Sequence, residues 1–303
     1  MFENIAQLSP RKSIVGPRVT VVMPTYRRAH QIGESIRSLL EGTFVDFELL
    51  VRDDGNGTDG TSQAVIEAAG GDVRVRYHRN REPLRMPGNL NAGIQKSRGE
   101  VIAVCHDHDL YKPNFLARLL EALDLHESAL FVHCAVDVVR QDGSYVCSHV
   151  GDWSELTQGD SWLKVMLSSF HCPVCALTVV RREAHEKYGL YDPQYGFVSD
   201  VEMWMRLSQH GDVVFVAAPL IQVRQREPDH VASSNWATLL RTTSAIHRRY
   251  LPHAYSGGGC VYQRLRLECR VSRQMLLGIA SQVKHSFRPR TPKQVKLQPG
   301  GDV

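Results

Sequence analysis

The chain lacks a long apolar run. The longest in its body, residues 213–221, is too short to cross a bilayer. Residues 1–12 hold no apolar core, so no secretory signal is predicted. The expected compartment is therefore the cytoplasm, at most peripheral on the inner face of a membrane. Cysteine is sparse: seven residues at irregular spacing, several inside apolar runs (Cys105, Cys134, Cys175), as packed thiols are rather than a disulfide framework. Cys172 and Cys175 form a CxxC, but a zinc site needs a second pair, and Cys260 and Cys269 are poorly spaced for one. Acid is nearly missing from one end. Residues 236–303 hold twelve Lys/Arg against only Glu268 and Asp302, while the whole chain is +4, so residues 1–235 are net acidic. Aromatic residues are not interleaved with these arginines, which together with the acidic body argues against a nucleic-acid partner. No internal repeat is present.

What is present is strand-helix alternation. Residues 18–23 and 47–51 read as buried strands, and Ile32, Ile36, Leu39 and Leu40 mark a helix between them. A helix near 60–69, a strand at 73–77, a helix at 88–97 and a strand at 100–105 follow. Pro113 then opens a helix with Phe115, Leu119, Leu120 and Leu123 on one face. This order predicts an α/β fold with a mostly parallel central sheet and helices on both faces. Further on, a strand pair is expected at 129–139 and 145–149, helices at 157–168 and 199–209, and strands at 174–180, 213–218 and 221–224. From 236 the chain reads as two helices broken by Pro252 and the glycines 257–259, and its last fifteen residues as disordered.

In such sheets ligands bind beyond the carboxyl ends of the strands. Two acidic clusters fall at such ends: Asp53-Asp54, and the run His106-Asp107-His108-Asp109. Residues 55–60 form a literal GxGxxG, but Asp53 and Asp54 just before it would repel a pyrophosphate, and it follows the second strand, so a turn rich in Gly and Asx residues is the better reading. Carboxylates with imidazoles suit a divalent cation, and Mn2+ tolerates the mixture better than Ca2+. Read alone, the run is as well explained by a solvated loop with helix-capping acids. Asp200 opens a helical segment, two residues before Glu202; alone, it reads equally as a charge complementing the helix dipole.

Taken together, several segments resemble the family-2 glycosyltransferases of the GT-A fold. They are residues 20–27 (TVVMPTYR), 53–61 (DDGNGTDGT), 89–93 (NLNAG), 99–102 (GEVI), the HDHD run with Tyr111 and Pro113, 181–192, and 200–207 (DVEMWMRL). The resemblance covers about residues 18–226. It implies a Rossmann-like GT-A domain over 18–235, after an N-terminal arm at 1–17. A basic helical extension at 236–290 and a disordered tail at 291–303 complete the expected organisation. It implies an inverting transferase that moves a sugar from a nucleotide-diphosphate sugar, with UDP-sugar favoured, to a hydroxyl acceptor of a glycan or lipid-linked glycoconjugate. Pro24, Thr25, Tyr26 and Asp53 would hold the nucleotide, and Arg85 falls where relatives place an arginine that contacts nucleotide or phosphate. Asp107 and Asp109 would hold the Mn2+ or Mg2+ that bridges the phosphates, and Asp200 matches the general base.

In relatives acids often stand where His106 and His108 stand here, which leaves open which of Asp107, His108 and Asp109 ligate the metal. Nitrogen ligation by His108 would favour Mn2+ over Mg2+. Two rival functions make different demands on these residues. A sugar-nucleotide nucleotidyltransferase needs a Gly-rich loop after the first strand, and residues 24–28 lack glycine. A non-catalytic nucleotide- or sugar-binding module with a decayed site has no use for a base at Asp200. The basic extension suits anionic lipid headgroups, a homodimer contact, or helices packed on the domain with solvated arginines.

Overall fold

The computed structural model describes residues 16–55, 57–168, 170, 172–174, 178–225 and 236–286. The expectations for most of the N-terminal arm, for Cys175 of the CxxC and for the tail at 291–303 lie outside the described residues.

The alternation becomes a ten-stranded mixed sheet. Its first half is built from β1 (Val19–Thr25), β2 (Phe47–Asp53), β3 (Val75–Arg79) and β4 (Val101–Val104), all parallel, in the order β3-β2-β1-β4. The sheet continues through β9 (Thr178–Arg181), antiparallel to both neighbours, to β6 (Ala129–Val139), β10 (Asp212–Arg224) and the short β5 (Leu110–Tyr111). Two further strands flank this path: β7 (Tyr145–His149) on β6 and β8 (Leu156–Thr157) on β10.

Strand alternation divides the core in two. On β1 and β4, Val19, Val21, Met23, Val101, Ala103 and Cys105 face one side, and Val22, Ile102 and Val104 the other. The first side is covered by α1 (Ala29–Leu40), α2 (Thr61–Ala69) and α4 (Phe115–Leu125). Ile32, Ile36 and Leu39 of α1 are almost wholly buried there, each contributing about 1.5–3 kcal/mol of apolar burial. The second side is covered by α3 (Arg85–Lys96), α5 (Gly159–Ser168), α6 (Arg182–Tyr188) and α7 (Ser199–Leu207). Ile246, Tyr250 and Leu251 of α8 (Trp236–Ala254) and Leu267 of α9 (Gly257–Ser286) join the same core. Gly93 explains how α3 reaches the sheet: a Cβ there would lie 2.4 Å from Val22 Cγ1.

Three local expectations shift. The strands expected at 213–218 and 221–224 are one strand, β10, with register irregularities around Pro219, where a ladder N–H is missing. Pro252 lies inside the last turn of α8, close enough to the end that the helix runs on to Ala254. The glycines at 257–259 open α9 instead of separating two helices.

Candidate active site

Because β2, β1 and β4 are neighbours, their carboxyl ends bring three loops together. Thr25 pairs with Asp53 across β1 and β2, and Val22 with Val104 across β1 and β4. The Asp54 backbone N–H donates to the Thr25 carbonyl (3.0 Å), and Cys105 N–H to Val22 (2.9 Å), so the loops are locked at their roots. Pro24 is half-buried and Thr25 buried, while Tyr26 is 54% exposed, with the Arg27 guanidinium 5.2 Å from its ring centroid.

Asp53 is fully buried. One oxygen accepts from the Gly55 amide (2.8 Å) and the other from the Tyr77 hydroxyl (2.6 Å). Burial and the Asp53 carboxylate push the Tyr77 phenol upward, so it stays a donor and holds Asp53 in one orientation.

Asp54 organises the next loop. It accepts from the Asn80 amide (2.7 Å) and the Leu84 N–H (2.7 Å) on one oxygen, and from the Arg85 N–H (2.6 Å) on the other. Asn80 also accepts from the Arg52 guanidinium and donates to Asn89 (2.8 Å), which returns a bond to the Arg52 carbonyl (2.8 Å). Arg85 is held at φ 56°, a strained value for a residue with a Cβ, and is exposed. The loop that carries Arg85 is thus set by the Asp54 carboxylate, whose partners at 80–85 are remote from it in sequence.

The 106–109 loop follows β4. Asp107 and Asp109 are buried, at 6% and 1% exposure, while the imidazoles of His106 and His108 are partly exposed and stack with planes 1° apart and centroids 5.3 Å apart. His106 Nδ1 lies 2.9 Å from Asp109 Oδ2, and His108 Nδ1 lies 2.9 Å from Asp107 Oδ1. Burial alone would raise the Asp109 carboxyl, but the His106 hydrogen bond, the two imidazoles and the Arg224 amide outweigh it and hold the group below its ordinary value. His106, His108 and Asp109 each present a ligand atom, all within 4.8 Å of one another. This mixed nitrogen and oxygen set, with one buried carboxylate, fits a divalent cation.

Arg224, the last residue of β10, clamps the loop from the far side. Its backbone N–H donates to Asp109 Oδ1 (3.1 Å), and its guanidinium donates to the His108 carbonyl (3.2 Å) and to Glu34 on α1. No spacing rule could reveal this group, because Arg224 lies 115 residues from Asp109 and 190 from Glu34.

Asp200 stands in the first turn of α7, exposed, with its carboxylate accepting from the Val201 N–H (2.8 Å). Glu202 points the other way. It is 1% exposed, bound by Arg206 at 3.1–3.2 Å and by the Tyr250 hydroxyl at 2.6 Å. Trp204 packs against Phe131 and Tyr191, and Arg206 donates to the carbonyls of Tyr188, Gly189 and Leu190 at the end of α6, so both support the helix that carries Asp200. Asn91 of α3 pairs with the Tyr191 backbone at 2.7 and 3.1 Å, joining the approach to α7 to the same frame.

Known proteins are similar to this chain in sequence and in fold. A Haemophilus influenzae protein called an uncharacterized glycosyltransferase is 23% identical over 217 residues, covering 69% of this chain and 65% of its own. A Rickettsia bellii protein of the same description is 28% identical over 211 residues, 69% of this chain but only 29% of its own, so this chain spans a minor part of that relative. The Escherichia coli enzyme WfgD, a UDP-Glc:alpha-D-GlcNAc-diphosphoundecaprenol beta-1,3-glucosyltransferase, is 24% identical and is covered over 80% of its length, against 72% of this chain. Among solved structures, S. aureus TarS 1-349 in complex with UDP-GlcNAc superposes with a TM-score of 0.63 at 17% identity, over 81% of this chain and 69% of that one. The mannosyltransferase PcManGT from Pyrobaculum calidifontis, in complex with GDP-Man and Mn2+, superposes at 0.53 and 18% identity, over 84% and 70%. At these identities the superpositions establish the GT-A fold. Residues 20–189, more than half the chain, match Glycosyl transferase family 2, and the chain therefore belongs to that family of glycosyltransferases.

Proposed function

We propose that this protein transfers a sugar, with inversion, from a UDP-sugar to a hydroxyl of a lipid-linked glycan. The observation that carries the reading is that the buried Asp53 and the 106–109 loop stand at the carboxyl ends of β2 and β4, the two parallel strands on either side of β1. Asp53, as an acceptor held by Tyr77 and the Gly55 amide, fits a base that offers a ring N–H, as uracil does. Pro24 and Thr25 at the end of β1, with Tyr26 just after, flank it, and Arg85, in the loop that Asp54 sets, would contact the phosphates. The TarS structure with UDP-GlcNAc and the activity in the WfgD name support this choice of donor and acceptor class.

The donor set of the 106–109 loop would hold Mn2+ or Mg2+, which supplies Lewis-acid stabilisation of the charge on the departing diphosphate. Asp200 supplies the base. As the acceptor oxygen bonds to the anomeric carbon, its proton passes to the Asp200 carboxylate. The bond from that carbon to the phosphate oxygen breaks, and the nucleoside diphosphate leaves with the electron pair. One displacement inverts the centre, and an exposed carboxylate on α7 is open to an acceptor.

The lipid-linked reading extends to α9. Its inner side packs through Leu267, whereas Val261, Tyr262, Leu265, Leu276 and Leu277 are 53–68% exposed. Arg264, Arg266, Arg270 and Arg273 lie among them, and residues 236–286 hold eight Lys/Arg against one acid. An exposed helix face that mixes apolar and cationic side chains suits an anionic lipid surface, whereas two copies of it would repel each other. No helix among the described residues is long and apolar enough to cross a membrane. The direct test of the donor is a thermal-shift screen of nucleotide sugars with and without Mn2+. Stabilisation by UDP-sugars above GDP- and dTDP-sugars is expected, and equal shifts for all bases would overturn the Asp53 assignment.

A further inference from the structure

We infer that the cation of this site is held by His106, His108 and Asp109, with Asp107 as the carboxylate that orients His108, and that the site therefore prefers a first-row transition metal to Mg2+. The inference rests on the cation site proposed above and concerns which atoms make it.

Chain geometry selects these ligands. Across the turn at 107–108, the rings of His106 and His108 stack in parallel, and Asp107 is buried. The ligand atoms of His106, His108 and Asp109 lie within 4.8 Å of one another, and Asp107 is not part of this group. Donors bound to one cation at about 2.1 Å stand about 3–4 Å apart, so a small contraction closes the group on an ion. Asp107 has a different task. A carboxylate only accepts, so the 2.9 Å contact assigns the proton to His108 Nδ1 and the lone pair to Nε2. That nitrogen is 4.0 Å from Asp109 Oδ1. A carboxylate behind an imidazole in front of a metal is the usual way to fix the ring and raise its basicity. Asp109 Oδ2 takes the same 2.9 Å contact from His106 Nδ1, so the His106 lone pair also falls on Nε2, and Oδ1, which accepts from the Arg224 amide, keeps a lone pair for the ion.

Two imidazoles and one carboxylate are a poor set for Mg2+, which wants oxygen, and a good one for Mn2+, Co2+ or Zn2+. The phosphates of a donor would fill the remaining positions.

The test is metal binding by the full chain without nucleotide. Mn2+ is titrated calorimetrically, and the bound ion is read by pulsed EPR for coupling to nitrogen-14. Expected are a nitrogen signal in the native chain, its stepwise loss in His106→Gln and His108→Gln, and no displacement of Mn2+ by equimolar Mg2+. Asp107→Asn should retain the nitrogen signal and weaken Mn2+ binding about 10–100-fold. The reciprocal variant His106→Asp/His108→Asp should still bind Mn2+, lose the signal and accept Mg2+, which also shows that the loop has kept its fold. Mn2+ bound without nitrogen coupling in the native chain, or Asp107→Asn abolishing binding as fully as His108→Gln, would overturn the ligand set. UDP binding measured in parallel separates the two readings: a nitrogen-coordinated ion in a chain that ignores UDP leaves this inference standing and removes the donor assignment.

Discussion

At the scale of single residues, the site depends on carboxylates whose neighbours define what each can do. Asp53 and Asp54 are adjacent in sequence, yet one faces Tyr77 and the Gly55 amide and the other the 80–85 loop. Asp54→Ala leaves the Leu84 and Arg85 amides without their acceptor. Such loss costs about 1–3 kcal/mol. A matching fall in urea stability together with weaker UDP binding is expected; unchanged UDP affinity would remove the Arg85 loop from the nucleotide site. Asp200 is the opposite case, an exposed carboxylate in the first turn of α7. Asp200→Asn should lower turnover by about 10²–10⁴-fold and leave nucleotide affinity nearly intact, and normal turnover would remove the base assignment. Neither residue's duty is legible alone. The sequence shows two acids at 53 and 54 and two more at 200 and 202. The fold separates Asp200 at the surface from Glu202 in the core.

At the scale of elements, α8 and α9 show how a segment that reads as an arm joins a core. Ile246, Tyr250 and Leu251 pack in the same cluster as Met203, Trp204 and Trp162. The Tyr250 hydroxyl also satisfies the buried Glu202, and burial with that carboxylate pushes the phenol upward, so it remains a donor. Tyr250→Phe should reduce urea stability by about 1–3 kcal/mol, whereas an unaltered midpoint would mean that α8 adds little to the fold. The outer face of α9 is a separate matter. Leu265→Glu with Leu276→Glu touches only exposed positions. It should reduce sedimentation with vesicles of anionic phospholipid about tenfold or more while stability holds. Equal sedimentation of variant and native chain would argue against the lipid face, and a change of oligomeric state instead would point to a second copy as its partner.

At the scale of the whole molecule, neutral imidazoles are built into the second core. Burial depresses His133 to about 3, and His185 and His247 to about 4. Their folded values lie below the ordinary value of about 6.5, so the unfolded chain takes up protons first as the pH falls. Stability is full above about 6.5 and is lost progressively toward about 4. His133 is the clearest case. It sits between Trp162 and Phe215, and neither ring nitrogen has a hydrogen-bond partner. His133→Phe should raise the thermal midpoint more at pH 5 than at pH 7.5; a gain independent of pH would show that this ring does not carry the acid sensitivity.

The sequence by itself determined the alternation of strands and helices, the apolar faces of α1 and α4, and the order of motifs that marks the family. Each of these is written in spacing over a few residues, where backbone geometry imposes a period of two or of 3.6. Only the tertiary structure decided what surrounds the acids. Arg224 reaches Asp109, Asn80 reaches Asp54 and Tyr250 reaches Glu202 because strand order and helix packing bring distant segments together. Pairing across a sheet leaves no periodic trace along the chain. In the run at 106–109, the residues read alone fit a solvated capping loop as well as a metal site. Which side chains converge there, and which one stands behind, follows from the turn that the chain makes as it leaves β4.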